Sequence, residues 1–207
     1  MTTINNVLFD FGKVLINFDN DNAKNYFKKL GVDGYEKHVM ALHAENIFNQ
    51  LEIGEITAEQ FINTISQKLH GSVSDTDIQN AWNSILTDYR TESMKHLEKL
   101  KNKYNLYLLS NTNAIHHEHF DRILFNQLRV KSLDSYFTKA YYSHQIGMRK
   151  PDFKTYEFVL NDAGIIAAET LFIDDLPENV AAASSLGFQT HQLLPEERIE
   201  NLKSLSI

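Results

Sequence analysis

Cysteine is absent from this chain, which at once excludes disulfides, thiolate metal sites and a cysteine nucleophile. Positive charge is the scarcer sign. Twenty Lys and Arg stand against 27 Asp and Glu, the formal charge is −7, and there is no basic run. Nucleic acid and an anionic membrane surface are therefore not expected as partners. A small anion can still be bound, provided the positive charge is local: a metal, a helix N-terminus, a single Lys or Arg. No apolar stretch approaches membrane-spanning length. The first residues, Met1-Thr2-Thr3-Ile4-Asn5-Asn6, lack the charged and apolar regions of a signal peptide, so the cytoplasm is the expected compartment. Proline and glycine are few, three and eight, and fall at turns. There is no internal repeat, no low-complexity segment and no signal for an oligomeric state.

What is present is enough apolar residue, 43%, for a sizeable core in 207 residues. That length suits one large domain, or a core domain with a smaller insertion. The texture favours the second arrangement. Residues 4–16 read as a strand, a turn and a second extended piece. From Asp19 to about Tyr89 the pattern is helical, with no strand. Tyr26, Phe27 and Leu30 share one helical face, as do Phe61, Ile62, Ile65 and Leu69. Thr57 with Gln60 predicts a capping box. Ser74 with Asp77, followed by Ile78, Trp82, Ile85 and Leu86, predicts another helix.

After Tyr89, helices and short apolar runs alternate. A helix carrying Met94, Leu97 and Leu100 leads to Leu106-Tyr107-Leu108-Leu109. A further helix precedes Ala140-Tyr141-Tyr142, and one starting at Pro151 leads to Leu171-Phe172-Ile173. Pro177 opens a last helix closed by Gly187. Such alternation predicts a parallel sheet covered on both faces, a doubly wound α/β core of residues 1–18 and 90–207, interrupted by a helical insertion over 19–89.

In open α/β sheets, ligands bind beyond the carboxyl ends of the strands. Those ends carry Asp10, Ser110-Asn111 and Asp174-Asp175, and Lys150 lies in the loop Gly147-Met148-Arg149-Lys150-Pro151. If the strands are neighbours, three carboxylates crowd together and call for a divalent cation. With oxygen ligands alone, magnesium suits better than zinc. Lys150 would supply a point charge for an anion, and Ser110 with the amides after it could hydrogen-bond the same anion. This set suits phosphoryl transfer. Asp10 would attack phosphorus, the cation, Lys150 and Ser110 would stabilise the oxygens, and water would release phosphate.

The four motifs, in order, resemble those of the haloacid dehalogenase superfamily: Asp10-Phe11-Gly12-Lys13-Val14, Leu109-Ser110-Asn111-Thr112, Arg149-Lys150-Pro151 and Phe172-Ile173-Asp174-Asp175. The resemblance spans nearly the whole chain. It implies a Rossmann-like core with a small helical cap over residues 19–89 that closes on the site and selects substrate. It implies Asp10, Ser110 and Lys150 as catalytic residues and Ser110, Asn111 and Lys150 as substrate-binding ones. Magnesium would be ligated by Asp10, Asp175 and the carbonyl of Gly12, with Asp174 acting directly or through water. The expected ligand is a small phosphorylated metabolite, a sugar phosphate.

Gly12 departs from the pattern. The family's usual motif has a second Asp there, which protonates the leaving group and then activates water. Such help is typically worth roughly 10²–10⁴-fold. Glycine here also resembles a branch that includes bacterial phosphatases acting on glucose 1-phosphate. That predicts a preference for sugar 1-phosphates, which leave easily, over 6-phosphates. Asp19 and His116 are candidate substitute acids, although an N-cap role for Asp19 and a solvated helix face for His116 are the simpler expectations. His116-His117-Glu118-His119 has zinc-like spacing but no third ligand of matching quality, and a solvated face is again favoured. The aromatics of the insertion, Tyr26, Phe27, Phe48 and Phe61 among them, are expected mostly in its core. Two other functions stay open: a 2-haloacid dehalogenase, which uses the same nucleophile without metal, and a non-catalytic member that binds a phosphorylated ligand.

Overall fold

The computed structural model describes residues 3–32 and 34–205. The chain begins with β1 (Asn6–Phe9) and a short β2 (Ile16–Phe18). Helices α1 (Asp21–Lys29), α2 (Tyr35–Ala44), α3 (Ile47–Glu52), α4 (Ala58–Lys68) and α5 (Asp75–Asn83) come next, and then β3 (Leu86–Tyr89). The second half runs α6 (Thr91–Leu100), β4 (Asn105–Ser110), α7 (Ala114–Leu128), β5 (Lys139–Tyr142), α8 (Ser143–Ile146), α9 (Phe153–Ala163), β6 (Thr170–Asp174), α10 (Pro177–Ser185) and β7 (Gln189–Gln192).

Five strands form a parallel sheet in the order β5-β4-β1-β6-β7. The chain builds outward from β1 to β4 and β5, then returns to the other side of β1 for β6 and β7. The strand order therefore reverses at β1, where open sheets leave a crevice. Side chains alternate across the sheet. Val7, Phe9, Leu106, Leu108, Leu171 and Ile173 face one way, against Met94, Leu97, Leu100, Phe120 and Leu124 of α6 and α7. Leu8, Tyr107, Leu109 and Phe172 face the other, against Tyr156, Val159, Ala182 and Ala183 of α9 and α10. Each fully buried residue of the leucine and phenylalanine type contributes about 1.5–3 kcal/mol. The central strands are accordingly apolar on both faces.

The helices α1 to α5 gather their own apolar cluster, with Phe27, Leu42, Leu51, Phe61, Ile65 and Ile78 among its members; Ile115 of α7 joins it from the sheet side. Thr57 makes the expected capping box at α4: its Oγ1 accepts from the Gln60 N–H at 3.1 Å, and Gln60 Oε1 accepts from the Thr57 N–H at 2.8 Å. Ser74 caps α5, accepting from the Asp77 N–H at 3.1 Å.

Two strands differ from the sequence expectation. Residues 86–89 are not helical: Leu86–Tyr89 is β3, paired antiparallel with β2, so that Ile16 lies opposite Tyr89 and Phe18 opposite Leu86. Ile85 and Leu86 do not extend the apolar stripe of α5, because that helix ends at Asn83. The ribbon carries the chain out to the five helices and back, and is tied by Asn17 Nδ2 to Asp88 Oδ2 at 3.1 Å and by Arg90 Nε to Asn17 Oδ1 at 3.0 Å. The second is β7, Gln-Thr-His-Gln, an edge strand without the apolar run that marks the buried strands. The helix expected from Pro151 begins at Phe153, with Asp152 as its cap.

Candidate active site

Asp10 is the first residue past β1, and its N–H donates to Ile173 O at 2.8 Å. Because Phe9 is level with Ile173, Asp10 lies level with Asp174 at the end of β6. Lys150 sits between the two carboxylates. Its Nζ donates to Asp10 Oδ1 at 2.5 Å and to Asp174 Oδ2 at 2.7 Å. Asp174 also accepts from the Leu176 N–H at 2.9 Å and from Asn179 Nδ2 at 3.0 Å on both oxygens. Lys150 and Asp174 are 1% and 0% exposed, so neither charge can be satisfied by water. The lysine's backbone is fixed in turn by Asn111, whose Oδ1 accepts from the Lys150 N–H and whose Nδ2 donates to the Lys150 carbonyl, both at 2.9 Å.

The electrostatics follow from this crowding. Burial pushes the Asp10 carboxyl up to about 7; the Lys150 ammonium opposes the shift and Asp174 adds to it. Asp175 is raised by burial and then by Asp174. Burial acts to lower Lys150, but Asp10 and Asp174 outweigh it and hold the ammonium above its ordinary range. One buried ammonium faces three carboxylates, and the nearest other cation found, Lys13 Nζ, is 3.7 Å from Asp175. Asp10, Asp174 and Asp175 can each offer an oxygen, all within 4.8 Å of one another. That donor set fits a hard divalent cation and lacks the nitrogen and sulfur ligands that favour zinc. Among the described residues no other group of three metal-ligating side chains comes together, so the histidines near 116–119 form no such site.

A crevice of about 300 Å³ opens above these groups. Asp10, Gly12, Ser110, Asn111, Lys150 and Asp175 all line it, while Asp174 lies behind, fully buried. A wider, open cleft of about 690 Å³ lies at the opposite end of the sheet, around Asn5, Lys101, Tyr104 and Ile166; it holds none of the candidate residues. Ser110 is buried at the crevice wall. The Asn111 side-chain amide, which lines the crevice, is engaged on both ends by the Lys150 backbone and braces that lysine.

At Gly12 the structure adds a reason for the missing side chain. A Cβ built there would lie 3.1 Å from Cε2 of Phe18, so a side chain at this position would have to displace the ring by a few tenths of an ångström. Asp19 does the simpler of its two expected tasks, with Oδ1 accepting from the Asp21 N–H at 3.0 Å at the start of α1. His116 does not lie on a solvated face. It is 5% exposed, stacks on Trp82 at 5.2 Å and 6°, and its Nδ1 is 3.1 Å from Asn83 Oδ1. Burial holds its pKa down to about 3, so the imidazole is neutral. The helical period could not reveal this, because the covering residues come from α5.

The upper wall adds residues beyond the predicted catalytic, binding and metal set. Glu52 of α3 and Trp82 of α5 line the crevice, as do Phe18 and Arg149. Arg149 Nε lies 3.0 Å from Glu52 Oε2, and its guanidinium also donates to Asn49 Oδ1. Trp82 is held between Phe48, at 5.4 Å and 8°, and His116. Of the aromatics expected in the insertion's core, Phe27 and Phe61 are buried there, and Tyr26 and Phe48 are packed at its margin.

A doubly wound α/β core, with a carboxylate, a lysine and an acidic pair converging at the reversal of strand order, fits a hydrolase. Comparison with known proteins agrees. Residues 7–192 match the haloacid dehalogenase-like hydrolase family, and the chain belongs to it. The chain is 30% identical over 204 residues to a D-ribitol-5-phosphate phosphatase of Bacteroides thetaiotaomicron, covering 99% of this chain and 98% of that one. It is 28% identical to a sesquiterpene phosphatase of Aspergillus oryzae, over 90% of this chain and 88% of the other. A crystal structure of a haloacid dehalogenase family enzyme from Bacteroides thetaiotaomicron, in complex with magnesium and inorganic phosphate, superposes with a TM-score of 0.88. The identity is 38%, and the match covers 97% of this chain and 99% of that one. A 2-haloacid dehalogenase from Pseudomonas syringae shares the fold, at a TM-score of 0.63 and 19% identity.

Proposed function

We propose that this chain is a magnesium-dependent phosphatase of a small polyhydroxylated metabolite, a sugar or sugar-alcohol phosphate, and that Asp10 is its nucleophile. The observation that carries this reading is Lys150 Nζ bridging Asp10 and Asp174 beside Asp175, at the floor of a crevice about 300 Å³ in volume. Lys150 aims Asp10 and opposes the effect of burial on its ionisation. Asp10 attacks phosphorus in line, and an aspartyl-phosphate forms as the ester oxygen departs on the far side. Ser110 and Lys150 hold the phosphoryl oxygens, and Asn111 fixes the lysine. Magnesium, held by Asp10, Asp175 and the Gly12 carbonyl with Asp174 behind them, would neutralise the charge that gathers on those oxygens. Helices α1 to α5, within residues 19–89, act as the cap over this floor.

Ribitol is a sugar alcohol with no anomeric carbon, so the relative named for its 5-phosphate works on the ester of a primary alcohol. This shifts our reading from the anomeric phosphates expected at Gly12 toward terminal polyol phosphates. The test is phosphate release from ribitol 5-phosphate, a hexose 6-phosphate and a hexose 1-phosphate, with magnesium and with EDTA. Primary esters should be cleaved with magnesium, and Asp10→Asn should lower the rate by roughly 10⁴-fold or more. Hydrolysis that persists in Asp10→Asn removes the mechanism. Halide release from a 2-haloacid in EDTA would replace the phosphatase reading with a dehalogenase one.

A further inference from the structure

We propose that Glu52 protonates the departing alcohol oxygen, taking the place of the side chain that Gly12 lacks. The inference rests on the phosphatase reading, since a primary alkoxide is a poor leaving group and needs a proton as the P–O bond breaks. The acid cannot come from position 12, which is glycine and carries no side chain. In-line displacement puts the departing oxygen on the side of phosphorus away from Asp10, toward the upper wall. Outside Asp10 and Asp175, Glu52 is the carboxyl among the described residues lining the crevice.

The surroundings of Glu52 suit the task. Burial raises its pKa and Arg149 works against the rise. Arg149 Nε, 3.0 Å from Oε2, lies too poorly aligned to make a hydrogen bond, so this oxygen is buried without one. The guanidinium ties the carboxyl to the residue next to Lys150, and so places it relative to the floor. His116, the other titratable candidate on this wall, is unsuited. Its Nδ1 faces the side-chain oxygen of Asn83, an acceptor that places the proton of the neutral ring on Nδ1 and leaves Nε2 without one to give.

The proton balance is complete. As the Asp10 oxygen bonds to phosphorus, the P–O(alkyl) bond breaks, its electron pair stays on the alkyl oxygen, and that oxygen takes the Glu52 proton. Water then attacks the phosphoryl group and returns a proton to the Glu52 carboxylate. The bond to Asp10 breaks and inorganic phosphate leaves.

The test compares Glu52→Gln with wild type, with magnesium, in single turnovers of three esters: ribitol 5-phosphate, phenyl phosphate and 4-nitrophenyl phosphate. Glu52→Gln should lose about 10²–10⁴-fold on the alkyl ester, and the loss should shrink as the leaving group becomes more acidic. The ratio of alkyl to aryl rates is independent of how much of the variant is folded. Glu52→Asp should recover part of the alkyl rate. An equal loss on all three esters, or no loss on the alkyl one, overturns the proposal. No hydrolysis of any ester by wild type removes the phosphatase reading itself, and this inference with it.

Discussion

The floor and the upper wall of the crevice are built by different rules. On the floor each charged group has several partners, drawn from strand ends that the sheet holds in register. Lys150 contacts two carboxylates and is braced by Asn111; Asp174 accepts from Lys150, Asn179 and the Leu176 N–H. On the wall the contacts to the floor are few. Glu52 meets Arg149, Asn49 meets the same arginine, and the Asn83–Trp82 corner rests on His116. Removing one partner on the floor strands a buried charge, whereas a change on the wall alters a contact that helices can adjust. On the proposed function, the reaction is thus fixed where substitution is costly, and the leaving group is met where it is cheap. Relatives named for a ribitol phosphate and for a sesquiterpene phosphate fit such a division.

Breaking the floor should therefore give the largest effect on stability. Lys150→Met leaves Asp10 and Asp174 facing each other with no cation between them. Removing one partner of a buried ion pair typically costs about 3–5 kcal/mol. Urea unfolding in EDTA at neutral pH should show a loss of that order, and magnesium should restore part of it by binding the folded form. If Lys150→Met unfolds at the same urea concentration as wild type in EDTA, the floor is not held as described.

The same contrast explains what could be read from sequence. Asp10, Ser110, Lys150 and Asp174-Asp175 each follow an apolar strand or sit at a turn, and a parallel sheet must bring such ends together, so the floor was legible. The wall was not. Glu52 lies on a helix whose polar positions look alike, and only the path of α3 over Arg149 singles it out. Phe18 reads as an ordinary apolar residue until the β2–β3 ribbon lays its ring beside Gly12. That ribbon was itself hidden, because Ile85 and Leu86 continue the helical spacing of α5. The burial of His116 is hidden for a related reason: it comes from Trp82 and Asn83, which are distant in sequence. Pairings between distant segments leave little trace in local periodicity.

His116 gives a second, smaller way to sharpen the comparison. Its folded pKa, about 3, lies below the ordinary value of 6.5. Between those values the unfolded chain binds a proton that the folded chain refuses, so stability present above pH 6.5 is lost as pH falls toward 3. The slope approaches 1.4 kcal/mol per pH unit, or about 2 kcal/mol between pH 6 and pH 4.5. His144, held down to about 4 by burial, acts in the same direction and is common to both proteins in the comparison. Wild type should lose that much relative to His116→Gln in urea titrations at the two pH values. A difference that stays constant with pH would mean that His116 titrates as an exposed group and that the wall does not close on it.

The smallest effect belongs to the wall alone. Thr57→Ala removes the side-chain half of the α4 capping box, typically worth about 1 kcal/mol. Thr57 touches nothing on the floor, and α4 packs within the cluster formed by Phe61 and Ile65. If helices α1 to α5 open as their own unit, a loss of 1 kcal/mol should speed amide hydrogen exchange in α4 by about fivefold. The amides of β1, β4 and β6 should exchange at the wild-type rate, and the alkyl-to-aryl rate ratio should not move. Equal acceleration in the sheet would show that the helices and the sheet unfold as one body. The wall would then be no more adjustable than the floor, and the division drawn between them would have to rest on substrate contacts alone.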